Sequence, residues 1–103
     1  MTIVTVFRSR LREGVDAEYA DVAARMDGLV GTMEGFVDHK FFVAEDGERV
    51  TIVRFRDAEC QRAWAQHPEH VAAQTRGRNE LYDWYDVSVS EVTSTRTFDA
   101  TRS

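Results

Sequence analysis

The stretch that decides the fold is "FVDHKFFVAEDGERVTIVRF", residues 36–55. Two runs rich in β-branched and aromatic residues, 36–45 and 48–55, flank the pair Asp46-Gly47. An Asp-Gly pair between two apolar runs is a strong signal for a β-hairpin in which both turn residues adopt positive φ. The stretch therefore predicts two adjacent antiparallel strands in the middle of the chain.

The residues before the hairpin predict a strand and a helix. "TIVTVFRSRL" (2–11) is rich in β-branched residues, which favours a strand. Apolar residues then recur at helical spacing, which predicts an amphipathic helix over 17–33. Asp16 stands directly before this helix and is expected to be its N-cap.

The residues after the hairpin predict two short helices and a last strand. Asp57 is expected to cap the first helix, and Pro68 interrupts it because the residue before a proline avoids the helical conformation. Pro68 suits the first position of the second helix, and Gly77 suits its C-terminal cap. "LYDWYDVSVSEV" (81–92) predicts the final strand.

The resulting order, β-α-β-β-α-β, is typical of the α+β class and of the ferredoxin-like fold, a four-stranded antiparallel sheet with helices on one face. We expect one domain over 1–92 and a polar tail over 93–103. The strands are apolar on both faces, so a lone subunit would leave a patch of valines open to water. These are Val4, Val6, Val87 and Val89. A second copy is expected to cover this patch in a homodimer.

Composition argues against several classes of function. The 103 residues carry a net charge of −5, whereas a nucleic-acid partner requires a basic face. No apolar run approaches the ~20 residues of a membrane span, and the N-terminus lacks the pattern of a signal peptide. Cys60 is the only cysteine, and phosphate loops, dinucleotide-binding motifs and cysteine-rich metal frames are absent. We therefore expect a cytoplasmic protein that has no membrane contact, metal or cofactor.

The stretch "AWAQHPEHVAAQTRGR" (63–78) places Trp64, His67, His70 and Gln74 around one proline. His67 is expected to be a corner residue that satisfies backbone groups freed by the proline. His70 is either a structural hydrogen-bond partner or a group for proton transfer in a pocket. Trp64 is either core or an apolar wall for a flat substrate, and Gln74 either orients a substrate oxygen or faces water.

Aromatic residues are unusually dense in the last strand, at Tyr82, Trp84 and Tyr85. Alternation sends Trp84 and Tyr85 to opposite faces, so one ring is expected to line a pocket and the other the dimer seam. The alternative is that all three rings are packing residues. His39, in the second strand, faces either the helices or the partner subunit.

These residues together resemble the antibiotic biosynthesis monooxygenase (ABM) domain family of the dimeric α/β-barrel superfamily. The resemblance covers about residues 2–92 and is carried by "VFRSRL", "MEGFVDHKFFVAEDGERVTIVRF" and above all "AWAQHPEHVAAQTRGRNELYDWYDVSV". It implies a dimeric α/β barrel with a pocket between the sheet and the helices of each subunit. It also implies a cofactor-independent monooxygenase that acts on a small aromatic compound of quinol or polyketide type.

In that interpretation His70 is the base and Trp64 the apolar wall of the catalytic site. The substrate would contact Phe7, His39, Gln74, Tyr82 and Tyr85. Two alternatives stay open: a non-catalytic dimer that binds a small ligand, and a haem-binding or haem-degrading relative. Bacterial haem-degrading relatives carry an Asn in the first strand, a Trp in the second helical segment and a His ten residues later. Those positions hold Phe7, Trp64 and Gln74 here, so only the Trp matches.

Overall fold

The computed structural model describes residues 1–101 as one antiparallel sheet with helices on one face. The strands are β1 (Ile3–Leu11), β2 (Phe36–Val43), β3 (Arg49–Phe55) and β4 (Tyr82–Glu91). The helices are α1 (Asp16–Val30), α2 (Ala58–Ala65) and α3 (Pro68–Arg76), and a π-helical turn, Gly77–Leu81, leads into β4. The strand order β2-β3-β1-β4 confirms the predicted α+β, ferredoxin-like fold.

A small buried cluster holds two of the helices against the sheet. It joins Val30 of α1, Phe55 of β3, and Cys60 and Trp64 of α2. Each of these side chains is at most 7% exposed. Because burying a large apolar side chain contributes about 1.5–3 kcal/mol, this cluster is a main source of stability at this end of the molecule.

The two short helices begin where the sequence predicted. Asp57 accepts a hydrogen bond from the backbone N–H of Cys60 at 2.9 Å. This backbone hydrogen bond is the largest of the effects that lower the pKa of Asp57 to about 2. Pro68 opens α3, and Nδ1 of His67 accepts from the N–H of Glu69 at 3.2 Å. His67 is therefore the corner residue that the sequence predicted.

Two predictions about local geometry are wrong. Asp16 is the first residue of α1, and Val15 occupies the N-cap without a side-chain hydrogen bond. In the hairpin turn only Gly47 has positive φ, at +89°, and its N–H donates to the carbonyl of Ala44 at 2.9 Å. The turn is therefore a three-residue loop that ends in a glycine bulge. Gly77 is the C-cap of α3, as predicted, although it keeps the right-handed helical conformation and the chain continues into the π-helical turn.

Gly77 is required for a different reason, which is the close approach of an aromatic ring. A Cβ atom on Gly77 would lie 2.5 Å from Cε2 of Tyr82. The π-helical turn folds the start of β4 back against this glycine, so the ring of Tyr82 packs on bare backbone. The identity of one helical residue thus decides where a ring at the start of β4 lies.

The sheet face away from the helices mixes apolar and charged residues. Its apolar residues are Val4, Val6, Phe42, Val50, Ile52 and Trp84. Arg8 and Arg54 form ion pairs beside them. The sequence predicted that Val87 and Val89 lie on this face with Val4 and Val6. That prediction is wrong, because the register places Val87 opposite Phe7, on the side of the helices, and Val89 also lines the cavity there.

The chain after β4 has no helix or strand as far as residue 101. The backbone N–H of Val92 donates to the carbonyl of Thr2 at 2.9 Å, which ties the end of β4 to the start of β1. Phe98 is 89% exposed. The last two residues of the predicted tail, 102 and 103, lie outside the described residues.

Replacing Gly77 tests the ring contact. Gly77→Ala is expected to lower the free energy of unfolding by about 1–3 kcal/mol, because the added methyl group overlaps the ring of Tyr82. Gly28→Ala is the matched control: a Cβ there meets nothing within 4 Å, so the better helix former is expected to stabilise α1 by up to about 1 kcal/mol. Urea unfolding followed by circular dichroism measures both changes. Equal effects in the two variants would contradict the contact.

Candidate functional site

A cavity of about 260 Å³ lies between the sheet and the helices. All four strands and all three helices contribute to its wall, which is mostly apolar. Ligand pockets usually measure about 300–1,000 Å³, so this cavity suits a small compound.

Within residues 1–101 no group of three His, Cys, Asp or Glu side chains is arranged to hold a metal ion. The same residues include no helix that is long and apolar enough to span a membrane.

The cavity wall contains every residue to which the sequence assigned a site role. These are Phe7, His39, Trp64, His70, Gln74, Tyr82 and Tyr85. They come from three strands and two helices, so tertiary packing brings them together. Their chemical roles stay predictions.

His70 packs flat against Trp64 and contacts its backbone. The two ring centroids are 4.2 Å apart, with 18° between the ring planes. Nδ1 of His70 lies 3.1 Å from the carbonyl oxygen of Trp64. Because a carbonyl only accepts, this bond places the proton on Nδ1 and leaves a free lone pair on Nε2 of the neutral ring.

Pro68 is the reason that the carbonyl of Trp64 is available to a side chain. In a continuous helix this carbonyl would accept from the N–H four residues later, and proline has none. The carbonyl instead accepts from the N–H of His67 at 3.1 Å and from Nδ1 of His70. The helix corner therefore orients His70 and sets its tautomer, so the structural interpretation of His70 and the functional one are compatible.

Burial lowers the pKa of His70 below its ordinary value of 6.5. The hydrogen bond to the carbonyl of Trp64 acts in the opposite direction, and the nearby His67 adds a smaller lowering effect. The shift favours the neutral imidazole near pH 7. A neutral ring with a free Nε2 is the form that can accept a proton.

His39 lies on the side of the sheet that faces the helices, which settles its orientation. Its Nε2 is 3.3 Å from Oδ1 of Asp27 in α1, and both residues line the cavity. Sequence reasoning missed Asp27, because a single acidic residue within an amphipathic helix carries no signal of its own. The contact depends on the packing of α1 across β2.

A wall of aromatic rings closes another part of the cavity. Phe7 stacks on Tyr85 with ring centroids 5.4 Å apart, and it meets Tyr82 edge-on at 5.5 Å. Tyr19 of α1 packs against Tyr82 at 6.1 Å. Trp84 lies on the opposite face, as alternation predicted. Tyr19 was seen in the sequence only as a member of the apolar stripe of a helix, so its place in the cavity was missed.

A bulge explains why Tyr82 and Tyr85 share a face although they are three residues apart. The pairing of β1 with β4 shifts between Arg10, which is opposite Trp84, and Leu11, which is opposite Tyr82. The extra residue in β4 moves Tyr82 to the side of the helices. Simple alternation would have placed Tyr82 on the other face.

The residues at the positions that form the haem site in haem-degrading relatives do not fit a haem. Gln74 stands at the position of the iron ligand in haem-degrading relatives, and an amide supplies no ring nitrogen. Phe7 stands where those relatives carry an Asn and supplies no polar group. Nε2 of His70 carries a lone pair, but His70 lies about one helical turn before Gln74, away from the position of that ligand.

Comparison with known proteins agrees with this architecture. A curated relative, the uncharacterized protein YqjZ from Bacillus subtilis (strain 168), is 30% identical over 93 residues, which cover 90% of this chain and 82% of that protein. SnoaB, a cofactor-independent oxygenase from Streptomyces nogalater, has 23% identity and a TM-score of 0.76 over 91% of this chain and 95% of its own. Rv0793 from Mycobacterium tuberculosis has 14% identity and a TM-score of 0.83 over 94% of this chain and 100% of its own.

The two solved structures share the fold with this chain, and their low identities support no more than that. The family assignment comes from the sequence itself. The family model described as antibiotic biosynthesis monooxygenase matches residues 2–76, which is most of the chain. This chain belongs to the antibiotic biosynthesis monooxygenase family.

Proposed function

We propose that this protein is a cofactor-independent monooxygenase that oxidises a small aromatic compound of quinol or polyketide type. The observation that carries the proposal is His70, a half-buried imidazole with Nε2 free, which is stacked on Trp64 in an aromatic-lined cavity. Membership of the family and the likeness to SnoaB, which is described as a cofactor-independent oxygenase, support it.

The reaction needs only a base, an apolar site and dioxygen. Nε2 of His70 takes the proton of a phenol, and the electron-rich phenolate then reduces dioxygen directly. Oxygen bonds to a ring carbon as a hydroperoxide, which loses water together with the hydrogen on that carbon and leaves a quinone. The phenolic O–H, one ring C–H and the O–O bond break, the phenolic C–O and the new C–O both become carbonyls, and the second oxygen atom leaves as water. The substrate supplies all the electrons.

The remaining cavity residues bind and orient the substrate in this proposal. Trp64 and Phe7 hold a flat ring between apolar surfaces and exclude water, which strengthens every polar contact inside the cavity. The amide of Gln74 and the hydroxyls of Tyr82 and Tyr85 supply hydrogen bonds to the oxygens of the substrate.

Replacing either histidine of the corner separates catalysis from structure. His70→Ala is expected to lower kcat/KM by about 10²–10⁴-fold, because proton transfer to Nε2 is lost. His67→Asn removes the other histidine but keeps an N-cap oxygen, so activity should be retained. Oxygen uptake with a panel of hydroquinones and naphthols measures both variants. Equal losses in the two would refute the role of His70, and no uptake by the unaltered protein on any compound would refute the oxygenase.

Two other results would support the alternatives. Tight binding of panel compounds without oxygen uptake would favour a non-catalytic ligand-binding dimer. A stoichiometric Soret shift on titration with haem would favour a haem-binding relative.

The acid limb of the pH–rate profile reports the protonation of His70. Its pKa is lowered by burial, so the midpoint of the fall in kcat/KM toward acid pH is expected below 6.5. The sign follows because the neutral ring is the active form and a lower pKa extends its range toward acid. Initial rates of oxygen uptake between pH 4.5 and 8 measure the limb. A midpoint at or above the ordinary 6.5 would contradict this assignment.

We also propose that the protein acts as a homodimer in the cytoplasm, with two sheets packed face to face. The open face of the sheet supports this, because Phe42 and Trp84 are 45% and 38% exposed there beside half-buried valines. Packing this face against its copy would remove the patch from water. The free, buried Cys60 is compatible with a reducing compartment.

A lysine in the centre of the open face tests the dimer. Val6 lies in β1 opposite Ile52, and Val6→Lys is expected to give a monomer, because two buried ammonium groups would face each other across the seam. Ala72→Lys, on the exposed surface of α3, is the matched control and should remain dimeric. Light scattering after gel filtration measures the mass, which is expected to be twice 11.8 kDa for the unaltered protein. A mass of 11.8 kDa for the unaltered protein would contradict the dimer.

A further inference from the structure

Three tyrosine rings from two elements lie together in the cavity wall. Tyr19 comes from α1, and Tyr82 and Tyr85 come from β4; we call these three residues the tyrosine cluster. Tyr82 lies between the other two, with ring centroids 6.1 Å from Tyr19 and 5.8 Å from Tyr85. A ligand at this end of the cavity therefore lies against phenol side chains from both elements.

Two arginines stand behind the tyrosine cluster. The guanidinium of Arg49 lies 5.0 Å from the centroid of the Tyr19 ring. The Nη1 group of Arg78 donates a hydrogen bond to the hydroxyl oxygen of Tyr85 at 3.1 Å. Among the side chains of residues 1–101, neither arginine forms an ion pair with a carboxylate. Their positive charges are therefore not neutralised by a neighbouring acid.

The cluster is arranged to donate hydrogen bonds. Because the oxygen of Tyr85 accepts from Arg78, the hydroxyl hydrogen of Tyr85 remains available to another acceptor. Burial raises the pKa of both Tyr19 and Tyr82, so their hydroxyls keep their protons. Phenols next to guanidinium groups are stronger donors to an anion than isolated phenols.

Among residues 1–101, Asp27 is the one carboxylate in the cavity wall, and it contacts His39 of β2. Its charge also reaches the cluster, where it adds to the effect of burial in raising the pKa of Tyr19, while Arg49 acts in the opposite direction. The protein as a whole carries a net charge of −5, so an anion is repelled at long range and needs local cations to bind. Arg49 and Arg78 supply them at this end.

We propose that the tyrosine cluster, with Arg49 and Arg78 behind it, is a subsite for a carboxylate carried by the aromatic ligand. The preferred ligands are then aromatic acids, whose ring lies against Trp64 and Phe7 and whose carboxylate accepts from the tyrosine hydroxyls. If the protein is the proposed oxygenase, aromatic acids are its substrate class, and this part of the inference rests on the proposed function. The binding of aromatic acids does not depend on that function and is measured separately.

The test compares two ligands of nearly equal shape that cannot be oxidised as phenols. Isothermal calorimetry with 1-naphthoate and the neutral 1-naphthamide is expected to give about tenfold tighter binding of the acid. Arg49→Gln should remove most of this preference while leaving the affinity for the amide within about twofold. Arg49→Lys keeps the charge and should retain part of the preference.

Arg25→Gln is the matched control, because it makes the same change in net charge on the exposed surface of α1 outside the cavity wall. It should leave the preference for naphthoate intact. Tyr19→Phe and Arg78→Gln test the subsite again if Arg49→Gln fails to fold, which circular dichroism shows. Equal affinity for the two ligands, no binding of either, or an unchanged preference in the folded Arg49→Gln variant would each overturn the subsite.

The two proposals fail separately. A preference for naphthoate without oxygen uptake on any phenol would support the carboxylate subsite and contradict the oxygenase. Oxygen uptake with phenols without a preference for naphthoate would support the oxygenase and contradict the subsite.

Discussion

The missing backbone N–H of Pro68 is the constraint on which the rest of the site depends. It ends α2, starts α3 at an angle, and leaves the carbonyl of Trp64 without its helical donor. His70 takes that carbonyl through Nδ1, which orients the imidazole and stacks it on the indole. A backbone requirement therefore produces a neutral imidazole with a defined free nitrogen, and the same corner supports both the fold and the proposed chemistry.

The cavity exists because the helices are held against the sheet at separated places. The cluster of Val30, Phe55, Cys60 and Trp64 closes one part of the interface, and the aromatic wall closes another. Gly77 allows Tyr82 to take its place in that wall, because its backbone carries no Cβ to displace the ring. The space between these contacts is apolar, so any polar group in it acts at greater strength than it would in water.

The electrostatic character of the cavity differs from that of the whole protein. The chain is acidic overall, but the cavity wall includes a neutral imidazole and protonated phenols, and two arginines without carboxylate partners stand behind the phenols. Such a cavity favours an electron-rich aromatic compound and the anion that forms from it. The fold alone would not indicate this preference for an electron-rich aromatic compound, since related folds carry many functions. The chemistry of the cavity therefore follows from the donors and acceptors in its wall.

The sequence by itself determined the order of helices and strands, the caps at Asp57 and His67, and the helix corner at Pro68, because each depends on neighbouring residues. It also identified seven residues that line the cavity, chiefly through the family resemblance. Only the tertiary structure decided which face each side chain takes. One extra residue in a strand reverses the alternation of its side chains between the two faces. Such a bulge beside Phe36 sets the face of His39 relative to Phe36, and another beside Leu11 sets the face of Tyr82. The contacts of Asp27, Tyr19 and Arg49 join residues that are distant along the chain, so no local pattern predicts them.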